Sequence, residues 1–319
     1  MSDPMLSVEI AARRTVADDI IVLELVPVDG ATLPPFEPGA HVDVEVGPDL
    51  LRQYSLCGDP TRNDRYRLGI LLDPASRGGS AGVHERFHVG ERIRIGAPRN
   101  NFPLADGTAG AVLLGGGIGV TPLLAMAHRL HAAGLPFTLH YCARSRTRAA
   151  FLDELEAAPY ATSVRLHFDD GEPAQKLDPA RDLPPPGDGA HLYVCGPTGF
   201  MDWLIGAAGT LGFPADRVHK EYFGAEVDTG GDGFQVELSR SGQTVPVAAG
   251  QSIVAALKAV GVRVEVSCQQ GVCGTCLCDV LDGIPDHRDS YLTDEEKDAN
   301  DQMMLCCSRS RTPKLVLDL

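Results

Sequence analysis

Residues 267–278 read SCQQGVCGTCLC and place four of the nine cysteines of this 319-residue chain within eleven positions. Cys268, Cys273 and Cys276 follow the spacing C-x4-C-x2-C, and 29 residues separate Cys276 from Cys306. Plant-type ferredoxins hold a 2Fe–2S cluster with four cysteine thiolates at this kind of spacing. The stretch therefore predicts an iron–sulfur loop with these four cysteines as the metal ligands.

The residues between these cysteines fit such a loop. Gly271 and Gly274 tolerate the positive φ and the close backbone approach that a tight cluster loop requires. A structural zinc site is the alternative, but its cysteines normally come as two C-x2-C pairs. Cys307 is a second candidate for the fourth ligand. Otherwise Cys278 and Cys307 are expected to pack as small apolar side chains.

Composition and charge exclude several classes of protein. The net charge of −15 argues against nucleic-acid binding, which needs a basic face. The N-terminus has no secretory pattern, and glycines and a proline interrupt the most apolar run, AVLLGGGIGVTPLLAMA. We therefore expect a cytoplasmic protein with no membrane segment, in which clustered cysteines bind metal more often than they form disulfides.

The pattern of apolar residues divides the chain into three domains. Short alternating runs over the first hundred residues predict a small antiparallel β-barrel or sandwich. Strands and helices then alternate, which predicts a parallel α/β sheet. Beyond an acidic, glycine-rich linker, a hairpin at Ser241–Gly242, a helix capped by Ser252 and a capping box of Thr293 and Glu296 predict a small α+β domain resembling the β-grasp fold. The expected bounds are 1–103, 104–225, 226–233 for the linker and 234–319.

Two glycine-containing turns in the α/β part mark a candidate nucleotide site. GGGIGVTP, residues 115–122, lies between an apolar strand and a helix, and CGPTG, residues 195–199, ends another strand. A glycine loop at a helix N-terminus can cradle a pyrophosphate, and ligands collect at the carboxyl ends of parallel strands. The loop is not a P-loop, and Val120 stands where the third glycine of the usual dinucleotide fingerprint belongs.

The β-rich part contains two further candidate segments. RQYSL, residues 52–56, puts an aromatic ring and a hydroxyl at the end of a strand. Arg77 precedes GGSAGVH, in which the glycines and Ser80 can form an anion-binding nest. Composition alone predicts that residues 52–56 form the end of a strand and that residues 77–84 form a surface loop.

Taken together, these motifs resemble one family over nearly the whole chain. RQYS, RGGSAGVH, GGGIGVTP, CGP, KEYFG, SCQQGVCGTC and LCCSRS are similar to the phthalate dioxygenase reductase and vanillate demethylase reductase family, part of the ferredoxin–NADP reductase superfamily. The resemblance implies a flavin domain, a nicotinamide domain and a C-terminal ferredoxin domain, in that order. It also implies FMN, NADH and a 2Fe–2S cluster as cofactors.

The resemblance assigns roles to individual residues. Arg52 would lie near the flavin phosphate and ring edge, Tyr54 along the ring and Ser55 near N5, whereas Phe223 would cover the flavin until nicotinamide displaces it. Ser55, Cys195 and Phe223 are the implied catalytic residues. The other implied cofactor-binding residues are Arg77, Gly79 and Ser80 for the flavin phosphate, Gly115, Gly117, Gly119 and Thr121 for the pyridine nucleotide, and Gly196 and Pro197 beside Cys195 at the nicotinamide.

The choice between NADH and NADPH depends on a short basic segment. Arg144, Arg146 and Arg148 can meet the 2′-phosphate of NADPH or simply form a solvated strand end. The family resemblance favours NADH.

Partner and acceptor follow from the same resemblance. It implies a monomeric reductase that passes electrons to a separate Rieske-type non-haem iron oxygenase acting on an aromatic acid or similar small molecule. Residues 226–319 contain 15 acidic and 8 basic residues, a net charge of −7 that can steer a basic partner or simply aid solubility. The alternatives are a haem-thiolate hydroxylase as acceptor and a non-enzymatic redox carrier or sensor.

Overall fold

The computed structural model describes residues 5–28, 30–47, 50–74, 76, 78–223, 228–266, 271–272 and 274–319, with the Asp188 side chain left out. The chain forms two compact units, Met1–Phe223 and Gly224–Leu319. Three residues named above, Arg77, Cys268 and Cys273, lie outside the described residues.

The first part of the first unit is a six-stranded antiparallel sheet, as predicted. Its strand order is β4-β3-β6-β1-β2-β5. In β3 the valines Val42, Val44 and Val46 are buried and alternate with half-buried acidic residues, so one face of the strand points inward. The inward residues of five strands form a single hydrophobic core, which makes the sheet a small barrel. The strands are β1 (Leu6–Ala17), β2 (Ile20–Pro27), β3 (His41–Gly47), β4 (Leu50–Ser55), β5 (Tyr66–Leu71) and β6 (Arg92–Ile95).

Helix α1, Gly79–Arg86, replaces the surface loop that composition predicts for this segment. Gly78 turns the chain into the helix with φ 83°, a conformation that glycine adopts at little cost. Val83 lies in the barrel core, and Gly82 fits closely against Val46. The helix therefore depends on tertiary packing rather than on the helix propensity of its residues.

The second part of the first unit is the predicted parallel sheet, with strand order β11-β10-β7-β8-β9. Helices α2 and α3 pack on one hydrophobic cluster and α5 on the other, so the sheet is covered on both faces. Strand β11 was not predicted, because its sequence VHKEY alternates too little. The elements are β7 (Ala111–Gly116), α2 (Val120–Ala132), β8 (Phe137–Ala143), α3 (Leu152–Ala157), β9 (Val164–Phe168), α4 (Pro179–Asp182), β10 (His191–Gly196), α5 (Thr198–Leu211) and β11 (Val218–Tyr222).

The second unit contains a five-stranded mixed sheet in the order β13-β12-β18-β14-β16 and a two-stranded ladder of β15 and β17. The predicted hairpin, the Ser252 cap and the capping box of Thr293 and Glu296 are all present. The elements are β12 (Phe234–Leu238), β13 (Thr244–Val247), α6 (Ile253–Ala259), β14 (Leu277–Asp282), β15 (Pro285–Asp286), α7 (Asp294–Ala299), β16 (Gln302–Met304), β17 (Arg309–Ser310) and β18 (Lys314–Leu317).

Short 3₁₀ turns connect several of these elements in the first unit: Gly117–Gly119, Arg146–Arg148, Ala161–Ser163, Pro173–Gln175, Pro186–Asp188 and Ala215–Arg217. Among the described residues, no helix has both the length and the apolar character needed to cross a membrane.

A buried histidine pair makes the stability of the α/β sheet sensitive to acid. His167 Nδ1 lies 2.7 Å from the Gln175 carbonyl oxygen and His167 Nε2 lies 3.0 Å from His140 Nδ1, an arrangement that suits two neutral rings. Burial, and then the neighbouring His167, lower the pKa of His140 to about 4. The unfolded chain therefore takes up this proton first, so stability is complete above about pH 6.5 and falls between pH 6.5 and 4.

We expect this pair to contribute about 3 kcal/mol to the acid-dependent loss of stability. His140→Asn keeps a donor toward His167 and should flatten the unfolding free energy measured by urea titration between pH 6.5 and 4. Exposed His88→Asn is the matched control and should leave the slope unchanged. An unchanged slope in the His140 variant would contradict the assignment.

Candidate functional site

The end of strand β4 carries the first group of predicted site residues. Arg52, Tyr54 and Ser55 all lie on β4, with Ser55 buried at its end. Burial raises the pKa of Tyr54 to about 12, and the Arg52 charge partly offsets this. The phenol is therefore neutral at physiological pH and available as a hydrogen-bonding aromatic surface.

The structure brings Arg52 against the start of helix α1. A Cβ atom on Gly79 would collide with the Arg52 guanidinium, so the glycine gives this side chain its room. The Ser80 hydroxyl accepts a hydrogen bond from the Asp73 backbone N–H at 3.0 Å. A guanidinium beside the first backbone N–H groups of a helix is suited to an anion such as a phosphate. Arg77, the other predicted phosphate ligand, is outside the described residues.

The glycine loop and the CGP turn meet at the carboxyl ends of the parallel strands. After β7, Gly117 has φ 55° and the turn Gly117–Gly119 leads directly into α2. A Cβ atom on Gly119 would collide with the carbonyl oxygen of Cys195. The two turns are therefore in direct backbone contact, which only glycine at position 119 allows.

This contact predicts that Gly119→Ala separates the two turns. Because displacements of about 1 Å at a reacting centre can cost up to a hundredfold, we expect kcat/KM for NADH to fall between about 10- and 100-fold, with flavin and iron content unchanged. Gly199→Ala is the control, since a Cβ atom at Gly199 has open space. Equal kinetics in the two variants would contradict the role of the contact.

Gly115 and Thr121 stabilise the conformation of the glycine loop. A Cβ atom on Gly115 would lie 3.1 Å from Val120 Cα, so the strand end packs tightly on the helix start. Thr121 is buried, and its hydroxyl donates to the Ile118 carbonyl oxygen at 2.9 Å. In this geometry Thr121 stabilises the turn, and its hydroxyl is already engaged.

The CGP turn can offer backbone groups to a ligand, but its cysteine is not a reactive thiol. Cys195 is fully buried, and burial raises the pKa of its thiol well above the usual value. A Cβ atom on Gly196 would lie about 3 Å from both Gly116 and the Phe200 ring, so the turn packs closely at this glycine. Pro197 precedes the first residue of α5. A neutral thiol here can line a ligand site but is not an activated nucleophile.

Glu221 is a site residue that the sequence analysis missed. It lies on β11 in register with Cys195, and its Oε2 atom is buried without a hydrogen-bond partner among the described residues. Burial raises the pKa of its carboxyl group to about 8. Such a perturbed group at a strand end is typical of a functional site. The available signal was an acidic residue within KEYFG, at the end of a strand that was itself not recognised.

Phe223 directly follows β11 and is 40% exposed. This exposure places the ring outside the hydrophobic cores. It lies two residues after Glu221, at the carboxyl end of the same sheet, where an exposed ring can cover a bound cofactor.

In the second unit, the segments that carry Cys276 and Cys306 are adjacent. Leu277 pairs with Met304 between β14 and β16, and the Leu305 N–H donates to the Cys276 carbonyl oxygen at 3.2 Å. Both cysteines are at least 95% buried. The segments of two of the four predicted ligands therefore lie side by side, and the other two ligands, Cys268 and Cys273, fall outside the described residues.

The two loop glycines adopt the conformations that the sequence predicts. Gly271 has φ 73° and Gly274 has φ 77°. A Cβ atom on Gly271 would lie 2.5 Å from Cys307 Sγ, and one on Gly274 would lie 2.5 Å from the Tyr291 ring. Cys307 is 1% exposed, and its sulfur lies 3.9 Å from the Met304 carbonyl oxygen. Cys307 thus packs against Gly271, and the choice of Cys306 as the fourth ligand stays a prediction.

The basic segment after β8 makes one ion pair with the part of the chain that the structure describes. Arg146 binds Glu156 at 2.6 Å, with both side chains about half exposed. Arg144 and Arg148 are also exposed. These contacts fit a solvated strand end, and the preference for NADH stays a prediction.

Comparison with known proteins agrees with this arrangement. The family model of the 2Fe-2S iron-sulfur cluster binding domain matches residues 236–311. The chain is 50% identical over 317 residues to vanillate O-demethylase oxidoreductase of Pseudomonas sp. (strain HR199 / DSM 7063), covering 99% of this chain and all of that protein.

Two solved structures are similar along the whole chain. One is phthalate dioxygenase reductase, described as a modular structure for electron transfer from pyridine nucleotides to 2Fe–2S, with 38% identity, a TM-score of 0.77 and coverage of 99% of this chain and 98% of that chain. The other is an intact type IV self-sufficient cytochrome P450 monooxygenase, with 39% identity, a TM-score of 0.82 and coverage of 99% of this chain but 41% of that chain. The chain belongs to the family of oxidoreductases that includes vanillate O-demethylase oxidoreductase and phthalate dioxygenase reductase.

Proposed function

We propose that this chain is an NADH-dependent reductase that passes electrons through FMN and a 2Fe–2S cluster to a separate Rieske-type oxygenase. The observation that carries the proposal is the match over 99% of the chain to a demethylase oxidoreductase, with no part of the architecture left over. The substrate of the oxygenase would be an aromatic acid or a similar small molecule. We place the flavin domain at 1–103, the nicotinamide domain at 104–225, the linker at 226–233 and the ferredoxin domain at 234–319.

The residues of the barrel fit a flavin mononucleotide. Arg52 and the first N–H groups of α1, at Gly79 and Ser80, would hold the phosphate together with Arg77. Tyr54 would lie along the ring system and Ser55 near N5, because both follow Arg52 on the same strand. When bound, flavin accepts a hydride and releases its electrons one at a time.

The carboxyl ends of the parallel strands fit the pyridine nucleotide. Gly115, Gly117 and Gly119 would let the pyrophosphate approach the start of α2, with Thr121 holding the turn. Cys195, Gly196 and Pro197 would line the nicotinamide site, and Phe223 would cover the flavin in the absence of nicotinamide.

Glu221 adds a protonated carboxyl group to this site. With its pKa near 8, the buried carboxyl group is mostly protonated at pH 7 and can donate a hydrogen bond. We propose that it orients the nicotinamide beside Cys195. Ser55, Cys195 and Phe223 remain the proposed catalytic residues.

Cys268, Cys273, Cys276 and Cys306 would hold the cluster. The burial of Cys276 and Cys306 and the positive φ of Gly271 and Gly274 support this ligand set. The protein is proposed to be a cytoplasmic monomer.

A second acceptor has specific support. The match to 41% of a self-sufficient cytochrome P450 monooxygenase indicates that this architecture also occurs joined to a haem-thiolate enzyme. A haem-thiolate hydroxylase is therefore the alternative partner. The higher identity, 50% over 99% of this chain, to a vanillate O-demethylase oxidoreductase favours the oxygenase.

An anaerobic visible spectrum of the pure protein, recorded before and after NADH, tests the cofactors. We expect overlapping flavin and iron–sulfur bands that bleach on addition. Capture of natural partners by the intact protein, followed by NADH oxidation assays with each candidate, then tests the acceptor. Flavin bands with zinc in place of iron, or no response to NADH, would refute the proposal.

A further inference from the structure

Asp289, between strand β15 and helix α7, carries a carboxylate whose side chain is 0% exposed. Its Oδ2 atom accepts the backbone N–H groups of Leu292 at 2.8 Å and of Tyr291 at 3.2 Å. The Ser308 hydroxyl donates to its Oδ1 atom at 3.4 Å. Burying a carboxylate is costly unless hydrogen bonds compensate it, and an ionised carboxylate can only accept. The three donors therefore suit a buried negative charge.

The backbone around Asp289 contacts the iron–sulfur loop. The N–H of the next residue, Ser290, donates to the Gly271 carbonyl oxygen at 3.0 Å. A Cβ atom on Gly271 would lie 3.0 Å from Asp289 Cα and 2.5 Å from Cys307 Sγ. Gly271 therefore packs between the residue that carries the charge and the neighbour of the proposed ligand Cys306.

The carboxylate itself contacts the segment that carries Cys306. Ser308, two residues after Cys306, is fully buried, and its N–H donates to the Met304 carbonyl oxygen at 3.0 Å. Its hydroxyl accepts the Arg288 N–H at 3.3 Å and donates to Asp289. A charge in such an interior is screened much less by salt than a surface charge.

Two basic side chains lie near this carboxylate. His287 Nδ1 is 3.9 Å from Asp289 Oδ1, and Lys297 Nζ donates to the Asp289 carbonyl oxygen at 2.9 Å. Within the described ranges, neither of them hydrogen-bonds to the carboxylate oxygens. An asparagine amide could accept the same two backbone N–H groups, and the Ser308 hydroxyl could accept from its NH2 group. The property that only aspartate supplies at this position is therefore its negative charge.

We propose that the buried Asp289 carboxylate lowers the reduction potential of the 2Fe–2S cluster. Reduction by one electron, supplied by the reduced flavin, adds one negative charge to the cluster, and a buried negative charge nearby opposes this. A lower potential makes the reduced cluster a stronger electron donor to the acceptor. The inference rests on the proposed function, because it places the cluster at the ligand segment of Cys306.

The test compares Asp289→Asn with Asp298→Asn in the full-length holoprotein. Asp298 is a matched control, because it is an exposed acidic residue on α7 of the same unit and its variant has the same net charge. The electron paramagnetic resonance signal of the reduced cluster, followed during a redox titration, gives the midpoint potential. The titration is run at about pH 8.5, where ordinary histidine side chains are neutral.

We expect Asp289→Asn to favour cluster reduction about tenfold, an upward shift of about 59 mV, with iron content unchanged. Coulomb's law at an effective dielectric constant of about 20 gives this size for unit charges about 10 Å apart. The shift should persist at about 0.5 M salt, where Asp298→Asn should match wild type. An unchanged or lower potential in Asp289→Asn, or an equal shift in Asp298→Asn, would overturn the proposal.

A second variant covers loss of the cluster in Asp289→Asn. Lys297→Gln removes a positive charge from the other side of Asp289 but keeps a donor toward its carbonyl oxygen. It should shift the potential downward, and an unchanged or higher potential would count against the proposal. Absence of a reducible iron–sulfur signal in the wild-type protein would instead refute the proposed function. A normal wild-type signal with the same potential in both variants would overturn only the role of Asp289.

Discussion

Cys306→Ser should abolish NADH-driven cytochrome c reduction while leaving NADH-driven ferricyanide reduction close to wild type. Loss of residues that merely support a metal ligand costs up to about a hundredfold, so loss of a ligand should cost at least that. Ferricyanide can take electrons from reduced flavin directly and does not need the cluster. The measurement is the ratio of the two activities, together with iron content.

The neighbouring cysteine provides a matched control. Cys307 packs against Gly271 and differs from serine by one atom, so Cys307→Ser should retain iron and both activities. Loss of the cluster in Cys307→Ser and its retention in Cys306→Ser would reverse the ligand assignment. Equal loss of both activities in Cys306→Ser would refute the division of labour between the two units.

Glu221→Gln should stabilise the protein at pH 8 relative to pH 4.5 and slow its reaction with NADH. In the unfolded chain this carboxyl group ionises near pH 4.5, but in the folded protein it keeps its proton to about pH 8. Because its folded pKa is raised, its contribution to stability is complete below pH 4.5 and is lost as the pH rises toward 8. At pH 7 the raised pKa of Glu221 lowers the free energy of unfolding by about 3 kcal/mol. The neutral amide of the Gln variant avoids this loss.

The single tryptophan allows this difference to be measured locally. Trp203 lies on α5 of the same α/β domain, so its fluorescence during urea unfolding reports on the part of the fold that contains Glu221. We expect the unfolding free energy of the Gln variant relative to wild type to rise by about 4 kcal/mol between pH 4.5 and pH 8, because the cost of burying the amide is the same at every pH. The pH profile of kcat/KM for NADH should also lose its inflection near pH 8. Parallel curves at all pH values would contradict a raised pKa.

The sequence was most informative where a function needs particular residues at short separations. The C-x4-C-x2-C spacing, Gly271 and Gly274 predicted a loop whose two glycines have positive φ in the structure. Capping by Ser252 and Thr293 was also predictable, because a cap depends on residues three positions apart.

Other features were not predictable because they depend on residues that are distant in the chain. Strand β11 forms only by pairing with β10, and α1 forms only because the barrel buries Val83. The linker composition of residues 228–233 gave no sign that Arg288 and Arg309 bind backbone carbonyl oxygens there, since both arginines lie more than fifty residues away.

Local periodicity by itself predicted the antiparallel sheet and the parallel α/β sheet, and cysteine spacing with glycine placement predicted an iron–sulfur loop, because each is a pattern of neighbouring residues. Tertiary structure decided the contact of Gly119 with Cys195 and the burial of the Glu221 Oε2 atom on the strand that pairs with the same cysteine. It also decided the attachment of the linker to Arg288. Each of these is a meeting of separate strands or loops, and the environment of a side chain, unlike its chemical type, exists only after the chain has folded.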